Sequence, residues 1–279
     1  MRCAAVDIGG SWIRWRLSRG GEGRVPSSEW DPRTFLEKLV RQYGVERVGV
    51  SFAGQVDSGR IVASPNVRTD CFDIRKYFME RHGVDLRIEN DLNCAALAEA
   101  KARGIGSLAA LYSGTGLGAG IIEGGRLCRG SRGMAGEIGH VPYRRAPFRC
   151  GCGKENCLEL FASGSALRKW SAYRGCPGSD LRSLQESERP ECRGIAAAYE
   201  EALLTAAGIL VTLYNPSVLV LGGGVVEANP RLMEGFGARL ADYALPVALE
   251  GARIEKSRLH DAPLKGAEIL AGFGACDAE

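Results

Sequence analysis

Residues 3–17 and 108–122 share one construction: a short apolar strand, a glycine-rich turn and a second strand. Neither turn is long enough to hold a crossover helix, so each stretch reads as an antiparallel hairpin. The same device used twice predicts two α/β lobes, each opened by its own hairpin. A chain of 279 residues and 29.9 kDa is long for one domain and comfortable for two.

The rest of the chain fills in that plan. Apolar spacing predicts a helix over 33–43, a strand over 45–52, a helix over 73–81 and a strand over 85–89. An alanine-rich helix follows over 91–103, closed near Gly104. The second lobe begins with a strand at 108–112 and carries a cysteine-rich loop at 150–157. It continues with a long helix over about 194–214, ended by Pro216, and a buried-type strand at 217–221. A last strand is expected at 253–259 and a terminal helix at 264–276. The predicted domains are therefore 1–103 and 104–279, with the terminal helix packing back on the first. The polar segment 171–193 reads as a loop or lid.

Composition excludes several classes of function. Net charge is +3 and the arginines are scattered, which argues against a nucleic-acid or membrane surface. No signal-peptide pattern is present, and no stretch approaches the roughly 20 apolar residues of a membrane span, so a cytoplasmic protein is expected. Ten cysteines in such a chain point to reduced thiols, some buried and some binding metal. Cys3, Cys71, Cys94, Cys128 and Cys276 read as packing residues, and Cys176 and Cys192, which flank a polar stretch, as loop thiols without a role ahead of the alternative that they pair.

The turn Asp7-Ile8-Gly9-Gly10-Ser11 lets backbone N–H groups approach phosphate oxygens, with Ser11 adding a hydroxyl. Asp7 could hold Mg2+ directly or through water, or could satisfy the amides of a tight hairpin turn. Residues 113–120, with Thr115 and Gly116, repeat the pattern. Neither is a P-loop, because no Gly-Lys-Ser/Thr follows, nor a Rossmann fingerprint, because a strand comes next. A third glycine run, Gly222-Gly223-Gly224, follows an apolar strand and suits either a flat adenine ring or a plain strand-to-helix turn.

Asp91 stands at the start of the alanine-rich helix, where the dipole keeps a carboxylate ionised. It reads either as the base that accepts a hydroxyl proton in phosphoryl transfer or as a helix cap. Asn90 reads as a ligand for hydroxyls or as a cap of the same helix. His140 with Cys150, Cys152 and Cys157 supplies three thiolates and an imidazole, the donor set of a closed, structural Zn2+ site. A zinc knuckle for nucleic acid is disfavoured, because no basic-aromatic helix follows. Glu137 and Glu159 flank these ligands and suit either sugar hydroxyls or solvent.

In this order the motifs resemble the ROK family of sugar kinases and sugar-responsive repressors: 7–11, 64–66, 89–93, 114–120, 136–140, 150–159 and 222–224. The resemblance implies the two-lobed actin-like ATPase (ribonuclease H-like) α/β fold with an interlobe cleft. It implies ATP, Mg2+ and a structural Zn2+, and is compatible with a homodimer. Asp91 corresponds to the family's catalytic base. Asn66, Asn90, Glu137, His140 and Glu159 correspond to its sugar ligands, with one His140 nitrogen on zinc and the other toward a hydroxyl. Asp7, Gly9, Gly10, Ser11, Thr115 and Gly116 correspond to the phosphate loops, and Gly223 to the adenine side.

Three departures stand out. Ser11 replaces the family's usual threonine. Trp12 replaces a common lysine, removing that charge. Glu155-Asn156 replaces a frequent glycine, asking Asn156 for an unusual backbone angle. The expected activity is phosphorylation of a hexose, glucose at its 6-hydroxyl first, with N-acetylmannosamine or a broad set of hexoses as the alternative. A non-catalytic sugar sensor is the rival. Such repressors carry a DNA-binding domain ahead of this fold, whereas the first strand here is expected at residue 3. A zinc hydrolase fails, because His140 and three cysteines leave no open position for water.

Overall fold

In the computed structural model, residues 1–64, 67–70 and 72–276 are described. Two compact units emerge: unit 1 comprises Met1–Gly104, Leu127–Ala135 and Leu259–Glu279, and unit 2 comprises Ile105–Arg126 and Gly136–Arg258.

Unit 1 opens with β1 (Cys3–Ile8), β2 (Trp12–Leu17) and β3 (Glu22–Pro26), an antiparallel meander. Then come α1 (Pro32–Tyr43), β4 (Arg47–Phe52), the small hairpin β5 (Gln55–Asp57) and β6 (Arg60–Ala63), α2 (Ile74–His82), β7 (Asp85–Asn90) and α3 (Asp91–Arg103). The main sheet runs β3-β2-β1-β4-β7, with β4 parallel to both β1 and β7. Local chemistry sets the helix ends. Asp31 accepts from the Thr34 N–H to cap α1, with Pro32 at its first position.

The alternation of β1 decides where its polar group goes. Ala4, Val6 and Ile8 enter the core with Phe35, Leu36, Phe78 and Val50. Ala5 faces Leu264 and Ala267 on the opposite side. By the same period Asp7 shares the face of Ala5.

Unit 2 contains β8 (Leu108–Ser113), β9 (Leu117–Glu123) and β10 (Arg126–Leu127), then α4 (Gly164–Arg174), α5 (Leu181–Gln185) and α6 (Pro190–Tyr214). It closes with β11 (Val218–Gly222), α7 (Gly224–Ala228), α8 (Phe236–Leu240), α9 (Pro246–Leu249) and β12 (Arg253–Lys256). Its sheet runs β10-β9-β8-β11-β12, with β8 and β9 antiparallel and β11 parallel to β8 and β12. The two sheets thus share one scheme, a meander followed by parallel strands. The chain returns to unit 1 with α10 (Ala262–Ala271) and α11 (Phe273–Cys276), separated at Gly272. α10 packs on α3, β1 and β4.

Several expectations are corrected. Segment 171–193 is largely helical, holding the end of α4, all of α5 and the start of α6. Its apolar residues are few but placed at helical spacing, and Leu181, Leu184 and Cys192 are all buried. Cys176 and Cys192 are not free loop thiols but a disulfide, with Cα atoms 5.9 Å apart across the turn between helices. Cys3 is also disulfide-bonded, so the cysteines are not uniformly reduced. The terminal helix is two helices. By length and composition α6, at 25 residues, is apolar enough to cross a membrane, contrary to the sequence reading. Tyr199, Leu203, Ala207, Leu210 and Val211 on it are buried inside the protein.

Candidate active site and metal centre

In unit 1 the turn after β1 has the Gly9 and Ser11 carbonyls engaged and the Gly9 N–H donating to the Trp12 carbonyl at 3.0 Å. Ser27 donates through its hydroxyl to the Gly9 carbonyl at 2.6 Å and through its N–H to the Ser11 carbonyl at 3.0 Å. Among the described residues, no protein group accepts from the Gly10 or Ser11 N–H groups or from the Ser11 hydroxyl. Unit 2 repeats the arrangement. Gly164 and Ser165, at the start of α4, donate to the carbonyls of Gly114 and Thr115 at 2.8 and 3.2 Å. The N–H groups of Thr115 and Gly116 and the Thr115 hydroxyl likewise meet no protein acceptor among the described residues. Successive unpaired N–H groups of this kind form an anion-binding concavity. The loop of unit 2 is anchored by a buried chain, in which the Tyr199 hydroxyl donates to Ser113 Oγ at 2.8 Å and that hydroxyl donates to the Ala162 carbonyl at 2.8 Å. Burial pushes the Tyr199 phenol far up, so it stays a donor.

Gly223 lies against that anchored residue. Its backbone sits at φ 89°, ψ 160°, a region glycine alone occupies readily, and a Cβ there would fall 2.5 Å from the Ser113 carbonyl oxygen. Gly223→Ala is expected to destabilise the protein by about 2 kcal/mol or more and to weaken nucleotide binding. Urea denaturation and nucleotide titration check this. An unchanged midpoint together with unchanged affinity would refute it.

At the end of β7, Asn90 caps α3, accepting from the Leu92 and Asn93 N–H groups at 2.9 and 3.3 Å. Its amide nitrogen donates to the Gly54 carbonyl at 3.0 Å. Asn90 therefore caps the helix, and Asp91 is the first helical residue rather than the cap. Asp91 Oδ1 accepts from the Leu92 N–H at 3.0 Å. The buried Cys94 thiol reports the surrounding field: it is pushed well up, by burial first and then by the carboxylates of Glu89, Asp7 and Asp91. Three acidic groups thus gather at the start of α3, with Arg129 paired to Glu89 and Arg14 to Asp7. Asp7 is 3% exposed and has both oxygens engaged, Oδ1 by the Ser51 hydroxyl at 2.7 Å and Oδ2 by Arg14. That fits a hold on Mg2+ through water better than direct ligation. Asn66 lies outside the described residues.

In unit 2, the donor atoms of His140, Cys150, Cys152 and Cys157 all lie within 4.8 Å of one another. Zinc–ligand bonds of about 2.0–2.3 Å place tetrahedral donors roughly 3.5 Å apart. The observed separations match, with Cys152 Sγ to Cys157 Sγ at 3.4 Å and Cys150 Sγ to His140 Nδ1 at 3.5 Å. Three soft thiolates and one imidazole therefore fit a closed Zn2+ site. Burial pushes the Cys150 and Cys157 thiols up. In the more open Cys152, burial is outweighed by the Lys154 N–H, the neighbouring thiols and the Lys154 charge, which hold it below the usual thiol value. Asn156 has no positive φ, contrary to expectation. Its carbonyl instead accepts from the Tyr143 N–H at 2.6 Å, as the strand-like pairing of Pro142 with Cys157 requires.

The ring of His140 faces two ways, Nδ1 to Cys150 and Nε2 to Glu137 Oε2 at 3.6 Å. Glu159 is fixed, with Oε2 accepting from the Leu117 N–H at 3.1 Å and Oε1 3.4 Å from Cys150 Sγ. A Cβ on Gly116 would sit 2.5 Å from Glu159 Oε2, so glycine there makes room for the carboxylate. The structure thus brings Glu137, His140, Glu159 and the metal ligands together in unit 2, next to the loop of Thr115 and Gly116. It brings Asp7, Gly9, Gly10, Ser11, Asn90 and Asp91 to one end of the sheet in unit 1. Sequence reasoning passed over Ser27, Ser51, Arg14 and Tyr199. Only the cross-strand register of Arg14 with Asp7 would have pointed to one of them.

Two repeated α/β sheets, each carrying a glycine loop with two open amides, with carboxylates in one unit and a Cys/His cluster fit for a metal in the other, define a phosphate-handling protein of the actin-like ATPase class. The chain matches the ROK family model over residues 33–272. It is 31% identical over 266 residues to the glucokinase of Streptomyces coelicolor, covering 82% of this chain and 84% of that protein. It is 28% identical over 299 residues to the N-acetyl-D-glucosamine kinase of Escherichia coli, covering 95% and 97% respectively. The crystal structure of the ROK hexokinase from Thermus thermophilus matches with a TM-score of 0.79 at 30% identity, covering 99% of this chain and 100% of that one. The chain belongs to the ROK family.

Proposed function

We propose that this protein is an ATP-dependent hexose kinase that phosphorylates glucose at its 6-hydroxyl, with Asp91 as general base. The observation that carries the reading is the pair of loops, one in each unit, that leave two successive amides without an acceptor among the described residues, Gly10 with Ser11 and Thr115 with Gly116. Two such loops suit a polyphosphate donor, and the kinase names of the relatives supply the acceptor class.

In this reading Asp91 takes the proton of the sugar hydroxyl as its oxygen forms a bond to the terminal phosphorus. The bond to the bridging oxygen breaks and ADP leaves, so atoms and charge balance. Asn90 holds the first turn of α3 so that the Asp91 carboxylate stays in place. His140 donates from Nε2 and Glu137 and Glu159 accept, together fixing the neighbouring sugar hydroxyls, with Asn66 as a further ligand. The N–H groups of Gly10, Ser11, Thr115 and Gly116 bind phosphate oxygens, beside Gly9, and Gly223 offers bare backbone to the adenine. Asp7 would hold Mg2+ through water, and the ion would supply neutralisation of phosphate charge. His140, Cys150, Cys152 and Cys157 would hold Zn2+, which would brace the loop at 150–157 and leave no open position for chemistry.

A second reading is favoured by the Escherichia coli relative, which matches over nearly its whole length: an N-acetylated hexosamine as the acceptor. A coupled ADP assay over hexoses and N-acetylhexosamines tests both. The expected result is turnover with glucose giving the 6-phosphate. Turnover only with an N-acetylhexosamine would replace the acceptor. A pure, metal-loaded protein that binds sugar but turns over none would establish the sensor reading instead.

A further inference from the structure

The residues of the unit 1 loop carry no positive charge, yet the adjoining sheet face is cationic. On β2, Trp12, Arg14 and Arg16 alternate onto the face of Asp7. Arg16 is neutralised by Glu22, Asp261 and Glu268. Among the described residues Arg14 has a single acidic partner, Asp7, and reaches it through Nε at 3.0 Å and one terminal nitrogen at 2.6 Å. Its second terminal nitrogen has no partner among the described residues, and the side chain is 38% exposed. Arg24 lies directly across from Arg14 on β3. Its guanidinium stacks on the half-exposed Trp12 ring at 4.8 Å and meets no carboxylate among the described residues.

Like charges directly opposite each other on a sheet repel unless something compensates them. Here the repulsion is offset by one buried carboxylate, which leaves surplus positive charge immediately after Gly10 and Ser11. A guanidinium is weakly hydrated, and its planar fork matches phosphate oxygens. We infer that Arg14 and Arg24 are the cations of the donor-phosphate site. Asp7 orients the Arg14 fork, and the Trp12 ring carries Arg24, so that both bind the terminal phosphates of the nucleotide. Trp12 is then the platform for an arginine supplied from β3. This assignment rests on the kinase reading for the identity of the anion.

The test is calorimetric titration of Mg-ATP, ADP and adenosine into wild type, R24Q, R24K and R14Q, alongside sugar turnover by the wild type. R24Q is expected to weaken ATP about tenfold and ADP less, to leave adenosine unchanged, and to flatten the dependence of ATP affinity on salt. R24K, which keeps the charge but not the stacked plane, should recover part of the loss. R14Q should weaken ATP and lower kcat together. Arg24 is exposed, so R24Q remains decisive if R14Q does not fold. R24Q binding ATP like wild type, or losing ATP and adenosine equally, would overturn the assignment. If wild type turns over sugar while R24Q is unaffected, the arginine assignment falls and the kinase reading stands. If wild type turns over no sugar yet R24Q loses ATP selectively, the reverse holds.

Discussion

Asp91→Asn is expected to lower kcat by about a hundredfold to ten-thousandfold while leaving the dissociation constants for sugar and nucleotide within a few-fold of wild type. Asparagine keeps the shape of the side chain and its place as the first residue of α3, and Asn90 continues to cap the helix. What disappears is the group able to take a proton. A carboxylate at a helix N-terminus also gains only about 0.3–1 kcal/mol from the dipole, so folding should change little. That separation makes the substitution informative. Steady-state rates measured beside calorimetric binding of both ligands should show a loss confined to kcat, the pattern of a group that acts in the transition state. A variant retaining more than a third of wild-type kcat would remove Asp91 from the mechanism. A variant that lost sugar binding instead would recast Asp91 as a ligand.

The reach of the sequence differs from one feature to the next, for physical reasons. His140 and the three cysteines were legible because a metal site demands particular donor types at close spacing, and their atoms do converge within 4.8 Å. The two hairpins were legible because a glycine turn between apolar strands is a strong local signal, and both sheets follow one order. β3 was missed because Val25 is its only large apolar residue, and an edge strand draws its stability from pairing rather than burial. The segment around Cys176 and Cys192 looked like a loop because its surface is polar. The helices there are defined by a few buried residues facing α6, which no count of composition reveals. Asp91 was ambiguous in sequence for a different reason. Adjacent Asn and Asp residues are both good caps, and only the hydrogen bonds of Asn90 assign the task to one of them. Arg24 was invisible, since its place opposite Arg14 depends on the strand that sequence reasoning did not find.

Removing the metal with a strong chelator is expected to weaken sugar binding by about ten- to a hundredfold and to lower the melting temperature, while ATP affinity changes far less. The loop from Val141 to Cys157 packs on the rest of unit 2 through Tyr143 on Phe161 and Phe148 on Trp170, while its tip is polar. Arg144, Arg145, Arg149 and Lys154 on it are exposed, and its internal order rests on a few backbone bonds such as Cys150 N–H to the Lys154 carbonyl at 2.9 Å. Four donors drawn within 4.8 Å without a cation would have to stay protonated or repel one another. With Zn2+ the cluster carries roughly one net negative charge, which the nearby Lys154 offsets. Under the proposed function, the consequence for the sugar runs through His140. A metal on Nδ1 fixes the proton on Nε2, the nitrogen that faces Glu137. Without it the imidazole is free to flip tautomer. The loop of Thr115 and Gly116 is held separately, by α4 and the Tyr199–Ser113 chain, so the nucleotide contacts should survive. Elemental analysis should give one zinc per chain, and readdition of zinc should restore sugar affinity. Metal-free protein that bound sugar with unchanged affinity would show that the His140 cluster does not brace the pocket. Parallel loss of ATP and sugar binding would mean that the metal holds unit 2 as a whole.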